Sequence, residues 1–447
     1  MGNRLELPYA LLKSKDYAAL RLALAEENEV DIAGFMDELP REQAMRVFRL
    51  LHKEQAAEVF AELDGDVQEH IISAMGDEEI HEIIAELYVD DLVDMLEELP
   101  ANMVRKVLKN TKPETRSLVN EFLQYPENSA GSIMTAEFID LRKSMTVSDS
   151  IGKIRRDGAE SEQIYTCYVI DDSRILEGVI TVRELLLAPD DSRIDDLMEK
   201  KLITAKTTED RELVAQRMMK YDLLALPIVD LEGRLVGIVT VDDVMDVLQE
   251  EATEDFERMA AMSPSEHPYL KASVFELAKN RFPWLLILMV SGMITGGILG
   301  RYEAAFAAVP LLVSFIPMLT DTGGNAGSQS STLVIRGMTV GEIESSDLFR
   351  VLWKEVRVSA LVGAALSLVN FGRLMLTYPD STAISITVSL ALFFTVILAK
   401  TVGGLLPILA KSLKIDPAIM AAPLITTVVD AISLVLYFSL AQRLLNL

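Results

Sequence analysis

From about Asp37 to Leu123, apolar residues recur in pairs at helical spacing, and each short unit opens on polar or acidic residues. HKEQAAEVFAEL (52–63), DGDVQEHIISAM (64–75), GDEEIHEIIAEL (76–87) and YVDDLVDMLEEL (88–99) share this form, with a period near 12. Acidic first turns suit the positive end of a helix, and an apolar stripe on so short a helix needs a neighbour to cover it. The pattern predicts stacked short helices in a superhelix. YPENSAGSIMT (125–135) ends it, and two later stretches then match each other. IYTCYVIDDSRILEGVITVRELLL (164–187) and LLALPIVDLEGRLVGIVTVDDVMDVL (223–248) each predict a strand, an acidic turn, a second strand ending in Gly-x-x-Thr, and a helix. EEATEDFERMAAM (250–262) keeps helical spacing and is expected to be a connecting helix, stopped by SPSEHP (263–268), whose prolines disfavour continuation.

Past residue 270 the pattern becomes long apolar runs. Five segments reach the length of roughly 20 residues that a bilayer requires. They are about Pro283–Tyr302, Ala304–Ile335, Val358–Tyr378, Ser381–Ala410 and Pro417–Leu440. The third contains Arg373, whose charge can snorkel to an interface.

Charge follows the same division. Residues 1–270 hold 29 Lys plus Arg against 58 Asp plus Glu, and the remainder holds 13 against 10. An acidic half of this strength excludes nucleic acid as its partner and points to cations. No basic-plus-apolar leader opens the chain, so the acidic half is expected in the cytoplasm, and five spans then put the C-terminus outside. Basic residues at the span flanks agree, nine inside against Arg301, Arg373 and Arg443 outside. A lone Cys167 excludes a disulfide framework and a cysteine-rich metal site. His52, His70, His81 and His267 show no ligand spacing, and no nucleophile stands beside a base, so no enzyme is expected.

Two features carry the chemistry. PMLTDTGGNAGSQ (317–329) is too polar for a lipid-facing helix, and such polarity persists at membrane depth only inside protein or along a watery path. It is the candidate permeation segment. Its Gly323, Gly324 and Gly327 allow either close helix packing or local unwinding; Asp321 belongs either to the outer mouth or to a pair with an arginine. Asp430 has 13 uncharged residues before it and 12 after it. A carboxylate there must face water, an ion, or a basic partner such as Lys400 or Arg373. Thr426, Thr427 and Asn325 can offer oxygens to a hydrated ion or hydrogen-bond between helices.

The paired Gly-x-x-Thr stretches resemble a tandem CBS module, which often binds adenine nucleotides. The full order of segments, with PMLTDTGGNAGSQ and YPENSAGSIMT, resembles the bacterial MgtE family of magnesium channels and transporters. That resemblance implies a multi-domain membrane protein: an all-α superhelical N-terminal domain (1–126), an α/β tandem CBS module (127–250), a connecting helix (251–275) and a five-span α-helical transmembrane domain (276–447). It further implies a homodimer in the lipid of the inner membrane that imports Mg²⁺ through one pore, with Asp430 binding the ion. Mg²⁺ held between the acidic domains would close the pore. Candidate ligands are Glu58, Asp90, Asp91 and Asp94 in the repeats and Asp222, Asp243 and Asp246 in the second CBS repeat. Glu251, Glu254 and Asp255 would face Asp416. In the CBS pattern Thr240 and Asp243 hold phosphate and ribose, whereas the first repeat has Thr181 followed by Glu184, with Arg183 as a phosphate contact. ATP is therefore a modulator and not a fuel, since no Gly-rich phosphate loop with a following lysine is present. A secondary transporter coupling Mg²⁺ to another ion, and a Mg²⁺ or nucleotide sensor without transport, are the competing readings.

Overall fold

A computed structural model describes residues 6–265, 269–420 and 422–446, so His267 and the end of the SPSEHP break lie outside the described residues. The chain forms two compact units, Met1–Leu248 and Gln249–Leu447.

The first unit begins with ten helices of 8–10 residues. They are α1 (Glu6–Ser14), α2 (Tyr17–Leu24), α3 (Glu29–Asp37), α4 (Arg41–Phe48), α5 (Lys53–Ala61), α6 (Gly65–Ala74), α7 (Asp77–Ile84), α8 (Val89–Glu98), α9 (Ala101–Asn110) and α10 (Pro113–Phe122). Helices this short are marginal alone and hold through packing. In α8 the buried residues Val89, Leu92, Val93 and Leu96 make the stripe that the pattern requires. α1 packs on α2, and from α3 onward each helix lies on the next but one: α3 on α5, α5 on α7 and α7 on α9 in one row, α4 on α6, α6 on α8 and α8 on α10 in the other. Ile71, Ile72, Ile80, Leu92 and Val107 are fully buried between the rows. Each such side chain contributes roughly 1.5–3 kcal/mol.

Two three-stranded sheets follow. β1 (Phe138–Leu141) pairs parallel with β2 (Gln163–Ile170), which pairs antiparallel with β3 (Leu176–Thr181). β4 (Ala205–Lys206), β5 (Ala225–Val229) and β6 (Leu235–Thr240) repeat this arrangement. The parallel crossovers are α11 (Val147–Asp157) and α14 (Arg211–Tyr221), while α12 (Val182–Leu187) and α13 (Ile194–Leu197) follow β3. The repeats exchange reciprocal bonds, Leu176 N–H to Gly233 O at 3.3 Å and Leu235 N–H to Arg174 O at 2.9 Å. The YPENSAGSIMT segment is sewn to the second repeat by Ala130 and Gly131 N–H groups on Glu209 and Thr207 carbonyls. Gly131 is required there, because a Cβ would meet the Tyr125 ring at 2.5 Å.

α15 runs unbroken from Val241 to Met259. The connecting segment is thus the end of the helix that follows β6, since VMDVLQEEATEDFERM offers no Gly or Pro to stop it, and it ends 14 residues before the next helix rather than reaching residue 275. The second unit then contains α16 (Val274–Arg301), α17 (Glu303–Ala308), a 3₁₀ helix (Pro310–Phe315), α18 (Ile316–Thr339), α19 (Leu348–Thr377), α20 (Thr382–Ser412) and α21 (Ala422–Leu445). Among the described residues four of these helices, α16, α19, α20 and α21, are long and apolar enough to cross a membrane. α18 has the length, at 24 residues, but its Asp, Asn, Gln, Ser and Thr content keeps it out of that set. The segment from Ala304 to Ile335 is therefore a short helix, a 3₁₀ turn and then α18. Arg373 does not break α19; its guanidinium is held by Asn370 Oδ1 at 2.9 Å. α18, α20 and α21 pack on one another, α19 on α20, and α16 on α21.

Candidate functional site

α18 divides cleanly by face. Gly323, Gly324, Gly327, Ser330, Ser331 and Val334 are buried, whereas Asp321, Asn325, Gln329, Thr332 and Arg336 are exposed at helical spacing. An exposed polar stripe on a helix of membrane length is the opposite of what lipid selects. The glycines are packing residues, and α18 does not unwind. A Cβ on Gly324 would collide with the Thr426 methyl, and one on Gly323 would lie 2.9 Å from Val429 and from Thr395. α18 and α20 touch backbone to backbone: a Cβ on Gly403 would sit 2.9 Å from the carbonyl carbon and 3.0 Å from the Cα of Gly327.

Those glycines draw α21, and with it Asp430, close to α18. Asp430 is half-buried, its Oδ1 is buried with no hydrogen-bond partner, and among the described residues it forms no ion pair. Among the described residues the ionisable group that acts on it is Asp321, of like charge, itself exposed and in no ion pair there. Lys400, one candidate partner, is instead engaged by Gln329 and Ser330. Thr426 and Thr427 donate their hydroxyls to the Pro423 carbonyl, at 2.9 and 3.0 Å. Asn325 stands on the exposed stripe with no hydrogen bond among the described residues.

At the C-terminal end of α18 the acids of α15 and Asp416 do come together. Thr339 donates to Asp255 Oδ2 at 3.3 Å, and burial with the Asp416 charge raises the Asp255 carboxyl above its ordinary value. Arg258 pairs with both Asp416 and Glu254. Sequence reasoning missed this arginine. Glu251 lies one turn earlier on α15.

In the first unit Asp90 and Asp91 at the start of α8 converge on Asp243. Glu137 and Glu162 join them, tied together by the Glu162 N–H to Glu137 O bond at 2.9 Å. Burial first, then mutual repulsion, pushes Glu162 up to about 8 and Asp91 to about 6. Burial also holds Asp243 at about 6 against the pull of its Thr240 hydrogen bond, and it raises Asp90 well above its ordinary value. Glu162 Oε2 is buried without a partner. Clustered, desolvated carboxylates with an orphaned oxygen suit a divalent cation, which would remove the repulsion. Asp246, with Asp242, acts on Glu62 at the rim. Glu58 faces a cavity of 830 Å³ shared with Glu54, His81, Glu86 and Glu137. Asp94 is exposed on α8, and Asp222 caps α14 in a left-handed conformation (φ 51°), away from the cluster. Among the described residues, no three Asp, Glu, His or Cys side chains converge tightly enough to hold an ion alone. Glu137 and Glu162 lie outside the acidic repeats, immediately before β1 and β2, and only the folded topology brings them to Asp91.

A cleft of 1240 Å³ in the CBS pair is lined by Tyr165, Arg183, Glu184, Lys201, Asp222 and Leu224, among others. Glu184 closes a capping box with Thr181, its carboxylate 2.8 Å from the hydroxyl. Thr240 and Asp243 form the matching contact in the second repeat but face the acidic cluster instead of this cleft. The four nucleotide candidates thus divide into two pairs.

A paired CBS module, acidic helical repeats and a bundle of long apolar helices with a polar stripe describe a multi-domain membrane transporter. The comparisons agree. The profile for a divalent cation transporter domain matches residues 316–440, that for the MgtE intracellular N domain 27–128, and that for CBS domains 130–191 and 194–250. The chain is 38% identical over 441 residues to the magnesium transporter MgtE of Thermus thermophilus, covering 97% of each. It is 32% identical over 436 residues to that of Bacillus subtilis, covering 98% of this chain and 96% of the relative. Among solved structures, the cytosolic domain of the Mg²⁺ channel MgtE in complex with ATP matches with TM-score 0.52 and 38% identity, over 55% of this chain and 99% of that one. The soluble part of a magnesium transporter matches with TM-score 0.52 and 29% identity, over 56% and 98%. The chain belongs to the MgtE family of magnesium transporters.

Proposed function

We propose that the chain is a homodimeric Mg²⁺ channel of the inner membrane that imports Mg²⁺ down its gradient and is closed by cytosolic Mg²⁺. Its parts are a superhelical acidic domain (1–126), a CBS pair (127–250), a connecting segment (251–275) and five spans (276–447), α18 being the fifth. The N-terminus is cytoplasmic and the C-terminus outside. The observation that carries this reading is Asp430, whose unpartnered oxygen lies in the helix packed against the glycine face of α18. Two copies about a dimer axis supply −2 against +2. Mg²⁺ gives up its water reluctantly, so a carboxylate pair reached through retained water attracts the ion and still releases it. Asn325 and Thr426 offer further acceptors to that water shell.

Closure uses the carboxylate clusters. A site filled tenfold above its dissociation constant in one state contributes about 1.4 kcal/mol. Driving a two-state gate from 1:99 to 99:1 takes about 5.5 kcal/mol. Four weak sites suffice, drawn from Asp90, Asp91, Asp94, Glu58, Asp222, Asp243 and Asp246 and from Glu251, Glu254, Asp255 and Asp416. ATP modulates the gate from the CBS cleft, a reading favoured by the ATP-bound cytosolic domain of a relative. The channel reading predicts single-channel current from the protein in liposomes, lost as internal Mg²⁺ rises and absent in Asp430→Asn at equal protein. A slow saturable flux that needs a counter-ion would support a coupled transporter. A sensor without transport predicts no flux in liposomes and cellular Mg²⁺ uptake left untouched by Asp430→Ala.

A further inference from the structure

Lys400 carries its charge into the interior of the α18–α20 interface, where it is 6% exposed. Among the described residues its ammonium meets no carboxylate directly. It donates to Gln329 Oε1 at 3.3 Å and to Ser330 Oγ at 3.4 Å, and Ser330 donates in turn to Glu355 Oε2 at 2.6 Å. α20, α18 and α19 are thereby joined by one chain of hydrogen bonds with a positive group at one end and a negative group at the other. An uncompensated charge at this depth would be costly, so the two ends depend on each other.

The consequence concerns Gln329. An ammonium has three donors and no acceptor, so only the amide oxygen of Gln329 can face it, and the rotation of the amide follows from that chemistry. The amide nitrogen, with two donors, then points away from Lys400. It has no hydrogen-bond partner among the described residues, and Gln329 lies on the exposed stripe one turn beyond Asn325. A hydrated cation turns its water hydrogens outward and looks for acceptors. Asp430 and Asn325 provide them; the Gln329 nitrogen does not.

We propose that Lys400 is a positioning residue that holds the Gln329 amide donor-outward, making the C-terminal half of the α18 stripe a barrier to hydrated cations. Ions that Asp430 retains strongly cross it, and weakly held monovalent ions do not. The inference rests on the α18 stripe being the conduction face, as in the proposed function.

The test is single-channel recording from the full chain in liposomes at low internal Mg²⁺. Lys400→Met alone leaves Glu355 unmatched and can fail to fold, so the paired variant Lys400→Met/Glu355→Gln is recorded beside it. With the amide free to turn, the paired variant is expected to raise Mg²⁺ conductance at least threefold and to admit K⁺. Lys400→Arg is expected to behave as wild type. In a Gln329→Ala background, the Lys400→Met/Glu355→Gln pair is expected to change nothing further, whereas a packing role would persist there. Wild-type or reduced conductance in a correctly folded paired variant overturns the inference, as does an undiminished effect in the Gln329→Ala background. Asp430→Asn in the same recordings tests the path itself: current through it would refute that reading separately.

Discussion

The guanidinium of Arg258 on α15 pairs with Asp416, 158 residues away in the loop before α21, and with Glu254 one turn back on its own helix. In the proposed gate these carboxylates would hold a closing divalent ion, and Arg258 would then be a resident counter-ion with two effects of opposite sign. It would hold α15 to the loop when Mg²⁺ is scarce and compete with Mg²⁺ for Asp416 and Glu254. A hydrogen bond to a charged group is worth about 1.5–3 kcal/mol, and partial exposure argues for the lower end. Arg258→Gln should therefore raise the open-to-closed ratio in Mg²⁺-free solution about tenfold and yet lower the Mg²⁺ concentration that half-closes the channel. Current measured against internal Mg²⁺ checks both. If half-closure moves to higher Mg²⁺, Arg258 is only a structural tie.

The acidic cluster links proton and cation binding. Glu162 is raised from its ordinary 4.5 to about 8, and Asp91 and Asp243 from 3.8 to about 6, with Glu137 and Asp242 adding to the repulsion on Glu162. Each group binds its proton more tightly folded than unfolded, so the native state holds the extra protons between those values. Stability is full below the ordinary pKa values and falls as pH rises through the folded ones, up to about 8. A divalent cation reverses the sign by stabilising the ionised form. In EDTA the Tm of the first unit's transition in the full chain should drop between pH 6 and pH 8. The increment given by Mg²⁺ should be larger at pH 8, and Glu162→Gln should flatten both trends. A Tm that climbs with pH in EDTA would exclude a desolvated cluster.

The sequence exposed the repeats, the CBS pair and the membrane half because each rests on local periodicity, as in the Val89, Leu92, Val93 and Leu96 stripe. Asp430 was legible because a charge inside an apolar run needs no partner to be noticed. Other features depend on distance along the chain. Glu162 meets Asp91 through sheet topology, Arg258 finds Asp416 through the bundle, and Lys400 reaches Glu355 only by way of Ser330. The continuity of α15 was hidden for another reason. The 250–262 segment looks like a new helix by its acidic start, but an acidic run inside a helix carries no stop signal.

The nucleotide candidates can be separated experimentally. Arg183 lines the CBS cleft with Lys201, whereas Thr240 is buried and spends its hydroxyl on Asp243. Arg183→Gln should weaken ATP binding to the full chain about tenfold, the loss expected when a charged phosphate contact worth about 1.4 kcal/mol or more is removed. Thr240→Val should leave ATP affinity within about twofold while weakening the start of α15 by about 1 kcal/mol. Calorimetric titration with ATP distinguishes them. A loss confined to Thr240→Val would place the phosphates at the second repeat.

Gly403 tests whether the backbone contact between α18 and α20 sets the bundle. A Cβ there would press on the Gly327 peptide, which cannot swing aside as a side-chain tip can. Overpacking typically costs about 1–3 kcal/mol, and a rigid neighbour favours the upper end. Gly297 on α16 has open space around its would-be Cβ. Gly403→Ala should therefore lower the Tm of the membrane unit by several degrees and reduce Mg²⁺ flux, because Gln329 and Asn325 move with α18. Gly297→Ala should leave both within error or stabilise slightly, since alanine favours the helix by up to about 1 kcal/mol. Equal effects from the two substitutions would show that helix propensity, not the Gly403–Gly327 approach, governs this bundle.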